Sequence, residues 1–125
     1  MKTSELTGTA LDWAVAKCEG MENQSGMWAG YKWVGIPYST DWAQGGPIIE
    51  AWMIDVGTYR GAWRAARHLG SAPTYGYGPT PLIAAMRCYV ASTLGDEVEI
   101  PEGLSRAAFD EELAKKYRRK RDDPR

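Results

Sequence analysis

The sequence predicts an α+β fold: a small antiparallel sheet of about three strands packed against two helices, plus a C-terminal amphipathic helix. Three observations predict it. Residues 78–95, GPTPLIAAMRCYVASTLG, carry the caps and periodicity of a mostly buried helix. Residues 7–19 repeat that periodicity in Leu11, Ala14, Val15 and Cys18. Between the two helices, short apolar stretches alternate with period two and are cut by glycine and proline, as strands are. A chain of 125 residues is one domain by length. The core is expected over 1–103, with 104–125 as a C-terminal helix and charged tail.

The first helix can be capped by Thr7 or Thr9, with Asp12 three residues after Thr9 as a capping-box partner, and Gly20 ends it. Residues 28–36, WAGYKWVGI, read as one strand, interrupted by Gly30 and Gly35 and stopped by Pro37. Ser39, Thr40 and Asp41 are turn and cap formers. Gly45-Gly46 breaks the chain, and Pro47 is expected to start a short helix carrying Ile48, Ile49 and Trp52. Met53–Val56 is expected to form a second strand, 57–61 (GTYRG) a turn, and 62–68 a third strand, although its three alanines also allow a helix. In that strand Trp63, Ala65 and Arg67 face opposite to Arg64, Ala66 and His68. Residues 70–78, GSAPTYGYG, read as a loop. The helix over 81–94 follows, with Thr80 as N-cap, Pro81 at its first position and Gly95 as C-cap. Residues 105–121 form the last helix, acidic at its start and basic at its end, which suits the helix dipole. Its narrow stripe of Phe109, Leu113 and Tyr117 is expected to mediate self-association, giving a homo-oligomer.

Composition excludes several classes. A formal net charge of −1 gives no global pull toward nucleic acid or a membrane. No apolar run approaches the roughly 20 residues of a membrane span, and the polar N-terminus lacks a signal-peptide layout. Cys18 and Cys88 lie in apolar helix faces and read as buried free thiols rather than a disulfide, which fits a reducing cytoplasm. One histidine and two distant cysteines make no metal-ligand spacing. A Cys88–His68 nucleophile is disfavoured, because a thiol among apolar neighbours is held protonated. Asp41, Glu50 and Asp55 have no fixed separation for acid–base work. Asp41 is more simply a cap, and Glu50 a surface residue or the partner of an arginine such as Arg64. No catalytic residue, metal or cofactor is expected.

Aromatic content is the unusual feature. Six Trp and seven Tyr stand against one Phe, and ten of these rings fall between Trp28 and Tyr77. Trp and Tyr carry an N–H or O–H that suits a surface partly apolar and partly wet, such as a binding face.

Four stretches, in this order, carry a family resemblance: LTGTALDWAVAKCEG (6–20), STDWAQGGPIIE (39–50), WRA (63–65) and GPTPLIAAMRCYVASTLGDEVEIPE (78–102). Together they resemble the NinX-like family of bacteriophage accessory proteins, over roughly the first 102 residues. The resemblance implies a small, non-essential phage protein made in the cytoplasm of the infected bacterium. It brings no catalytic residues. YKWVGIPY and the 57–78 stretch depart from the pattern and are rich in aromatics and arginine, so they are where a private specificity would lie.

The candidate ligand-binding residues are Trp42, Arg60, Trp63, Arg64, Arg67, Tyr75, Tyr77 and Thr80. Guanidinium groups bind phosphate bidentately and stack on rings, and bases stack on Trp and Tyr. Two helix N-termini, at 47 and 80, add anion-binding potential, although at Thr80 simple capping is the plainer reading. The GYGPTP entry lacks the Gly-Lys-Ser/Thr of a Walker loop. The same cluster suits a protein–protein hot spot or a solvated strand face. The basic run KKYRRKR is offset by the acidic block before it, which argues against nucleic acid as the partner. The leading expectation is a non-enzymatic binder that sequesters a nucleotide-type host immune signal. The alternatives are an inhibitor or adaptor that docks on a host protein, and a nucleotide hydrolase.

Overall fold

In the computed structural model, residues 1–21, 26–29, 32–70, 72–101 and 104 are described, with 26–29 and 32–33 described by their backbone pairing alone. The elements are α1 (Gly8–Cys18), β1 (Gly26–Ala29), β2 (Lys32–Gly35), α2 (Trp42–Ala51), β3 (Asp55–Tyr59), β4 (Ala62–Leu69), β5 (Ala72–Gly78) and α3 (Pro81–Leu94). The fold is α+β. A three-stranded antiparallel meander, β3-β4-β5, lies on α3, and α1 and α2 pack against α3 in turn. The expected C-terminal helix over 105–121 lies outside the described residues. Leu104, just past the expected core boundary, is fully buried in the core.

α3 is central because it is apolar nearly all round. Leu82, Ala84, Ala85, Met86, Cys88, Tyr89 and Val90 are all buried, as a helix covered on several sides requires. Thr80 caps it by accepting the Ile83 N–H at 3.1 Å, and Gly95 ends it at φ +96°. The β5 strand reaches α3 so closely that a side chain at Gly76 would collide with the Ala84 carbonyl and the Cys88 amide.

Five expectations are corrected. Residues 28–36 are not one strand but the hairpin β1–β2, in which Trp28 pairs with Trp33. The second helix starts at Trp42, not Pro47. Asp41 caps it by accepting the Ala43 N–H at 3.0 Å, and Pro47 lies inside it. The Gly45-Gly46 pair does not break it, because Gly45 is where the helix meets the Tyr38 carbonyl and Leu82, leaving no room for a Cβ. The second strand runs over Asp55–Tyr59, so the turn shrinks to Arg60-Gly61, both at positive φ (50° and 81°), as a tight hairpin turn requires. Residues 70–78 are not a loop, since 72–78 form β5. Edge strands tolerate Pro73, and the missing side chains of Gly76 and Gly78 are what let the strand approach the helix. Asp12 is not a capping-box partner: its Oδ1 accepts the buried Ser39 N–H at 2.8 Å, and Thr7 stands at the N-cap without a side-chain bond.

Both cysteines are free; Cys88 is buried, but Cys18, expected to be buried too, is only half-buried at the end of α1. Burial raises the Cys18 thiol to about 12 and the Cys88 thiol to about 11. Among the described residues no helix is long and apolar enough to cross a membrane.

Candidate functional site

The meander has two unlike faces. Strand alternation turns Val56, Trp63, Ala65, Arg67, Gly76 and Gly78 toward α3. The other face carries Asp55, Gly57 and Tyr59 of β3, Arg64, Ala66 and His68 of β4, and Tyr75 and Tyr77 of β5. Tyr75 and Tyr77 are 43% and 47% exposed. The register sets Gly57, Arg64 and Tyr77 in one cross-strand row and Asp55, Ala66 and Tyr75 in the next.

Arg64 is the centre of this face. Its guanidinium lies 4.5 Å from the Tyr59 ring centroid and 5.2 Å from that of Tyr75. Arg60, from the turn, lies 5.2 Å from the Tyr59 ring. Tyr77 completes the group, with ring centroids 5.9 Å from Tyr59 and 6.3 Å from Tyr75. Arg64 forms no hydrogen bond or ion pair with another described residue. Stacking engages the flat faces of a guanidinium and leaves its in-plane N–H donors available, and those donors match a carboxylate or phosphate bidentately.

Beside Arg64 the surface is concave, about 270 Å³ in volume. Gly57 and Ala66 are small enough to form its floor, and Arg64, Tyr75, His68 and Asp55 rise around it. His68 Nε2 meets Asp55 Oδ2 at 3.1 Å. Both side chains are well exposed. Among the described residues no three His, Cys, Asp or Glu side chains gather into a metal-binding group.

Of the eight sequence candidates, the structure brings four together: Arg60, Arg64, Tyr75 and Tyr77. Arg67 is on the opposite face. It is buried, donates to Ser92 Oγ at 2.8 Å and Thr93 Oγ1 at 3.3 Å, and lies over the Trp52 ring at 4.5 Å. Trp63 is half-buried on that inner face. Trp42 is exposed at the start of α2, in the helical layer. Thr80 has its side-chain oxygen occupied by the α3 cap. The anion site expected at residue 47 is displaced, since the helix N-terminus is at Trp42. Glu50 makes no ion pair with Arg64. The Asp55–His68 pair and the Gly57–Ala66 floor were missed. Their signal was the period-two pattern Asp55, Gly57, Tyr59, which puts all three on one face once β3 is extended to Tyr59.

Fold and face together define a small two-layer α+β protein whose sheet presents an aromatic–arginine surface away from its helices. The chain belongs to the family described as Bacteriophage P22, NinX, whose family model matches residues 2–93, from the N-terminal turn through nearly all of α3. It is a phage accessory protein. Comparison with curated proteins found no match.

Proposed function

We propose that this phage protein is a non-enzymatic binder that holds a nucleotide-type small molecule on the outer face of its sheet, and so withdraws a host immune signal from circulation. One observation carries the reading: the Arg64 guanidinium lies over the Tyr59 and Tyr75 rings and makes no hydrogen bond or ion pair with another described residue. An anion engages that edge while a base stacks on neighbouring rings, at roughly 1–3 kcal/mol per stacked base. Arg60 adds a second positive charge at the turn end of the same face.

The test is titration of cyclic and ADP-ribose-type nucleotides, followed by intrinsic fluorescence and melting temperature. Saturable binding that Arg64→Ala abolishes supports the proposal. Absence of any shift well above micromolar concentration sinks it. Recovery of the intact ligand from denatured protein separates a binder from a hydrolase, whose product would appear by mass spectrometry instead. If no nucleotide binds and one host protein is retained stoichiometrically through the same tyrosines, the face is a protein-docking surface, for which Tyr and Arg are equally suited.

A further inference from the structure

The concavity beside Arg64 has two chemically opposite ends. At one, the Arg64 guanidinium offers only donors. At the other, Asp55 offers acceptors: Oδ2 is engaged by His68 Nε2, and Oδ1 makes no hydrogen bond with another described residue. The two ends are one cross-strand row apart. Between them lies the floor of Gly57 and Ala66, with the Tyr75 ring at its side. A Cβ built on Gly57 would meet nothing within 4 Å, so the space over the strand there is open. Glycine inside a strand weakens it and commonly marks a place where another group approaches the backbone closely.

We infer that this concavity is the base-reading part of the ligand site, that Asp55 is its specificity-determining residue, and that the ligand is a guanine nucleotide. The inference rests on the nucleotide-binding reading proposed above. With the phosphate on Arg64, the base sits above Gly57 and Ala66 with its face against the Tyr75 ring and turns its Watson–Crick edge to Asp55. Guanine presents two adjacent donors there, N1–H and the exocyclic N2 amine, which a carboxylate accepts as a pair. Adenine and cytosine set a ring acceptor beside their amine, and uracil flanks its N–H with two carbonyls, so each turns an acceptor toward the carboxylate.

The experiment is calorimetric titration of the full-length protein with GMP, AMP, CMP and UMP. GMP is expected to bind at least about tenfold more tightly than the others, within the range of one good bidentate pair. Asp55→Asn, which replaces one acceptor by a donor, is expected to lose that preference while still binding nucleotides. Gly57→Val fills the concavity and is expected to abolish binding with its melting temperature unchanged. Equal affinity for all four nucleotides, or a guanine preference that survives Asp55→Asn, overturns the inference and leaves the nucleotide-binding proposal standing. Should Gly57→Val fail to fold, the Asp55→Asn comparison decides alone. If none of the four mononucleotides binds, the guanine inference is overturned, and the titration of cyclic and ADP-ribose-type nucleotides decides the nucleotide-binding proposal separately.

Discussion

Arg64 and Arg67 are three positions apart on one strand and do opposite work. Arg67 points toward α3, bonded to Ser92 and Thr93 and covering Trp52. Arg64 points outward into a cluster of tyrosines. Arg67→Ala is therefore expected to lower stability by about 1–3 kcal/mol in urea unfolding, since it removes a buried side chain that hydrogen-bonds Ser92 and Thr93 and covers Trp52. Arg64→Ala is expected to stay within about 0.5 kcal/mol of the parent, as surface changes do, while removing ligand binding. Asp12 is a second buried polar residue with a structural task. Burial raises its carboxyl, opposed by the hydrogen bond from the Ser39 N–H, and Asp12→Ala leaves that buried N–H unpaired at a cost of about 1–3 kcal/mol. The thiols give a pH prediction. Folding holds the protons of Cys88 to about 11 and of Cys18 to about 12, against 9.0 for an unperturbed thiol, and burial likewise raises the Tyr89 hydroxyl. The unfolded chain then releases protons that the folded chain keeps, so stability is full below pH 9 and falls as pH rises from 9 toward 12. Urea midpoints measured at pH 8 and pH 10 check the sign. At pH 8 a thiol reagent is expected to label the buried Cys88 only as the protein unfolds.

Single glycines decide how the elements meet. A side chain at Gly76 would strike the backbone of α3, and Gly76→Ala is expected to cost about 1–3 kcal/mol or more, because backbone cannot swing aside as a side chain can. Thr80→Ala removes the α3 cap and is expected to cost about 1 kcal/mol, read as a lower melting temperature with binding retained. Legibility also varied at this scale. α3 was readable to the residue because Thr80, Pro81 and Gly95 are local signals that act on their own backbone. α2 was misplaced because the cap at Asp41 and the tight contact at Gly45 outweigh a Gly-Gly-Pro run that would break an isolated helix. β5 was read as a loop because its two glycines look like turn residues. They are small because a helix lies against them, and that contact joins residues whose neighbours in sequence say nothing of it.

For the whole molecule, a ligand that binds the folded state alone stabilises it by mass action, about 2.7 kcal/mol at one hundred times the dissociation constant. A melting temperature that climbs with nucleotide concentration in the parent and not in Arg64→Ala is the expected outcome. The sequence by itself determined the fold class, the central helix and its caps, the alternation of β4, and the resemblance to the phage family. These follow from composition, from periodicity and from contiguous motifs. Which candidates share a surface was decided only in three dimensions. Pairing three strands at one register set Tyr59, Arg64, Tyr75 and Tyr77 side by side, sent Arg67 and Trp63 to the inner face and left Trp42 in the helical layer. The physical reason is that alternation fixes which residues of one strand share a face, whereas cross-strand neighbours depend on where each hairpin turns. Here that depended on Arg60-Gly61 and on how closely Gly76 lets β5 settle on α3.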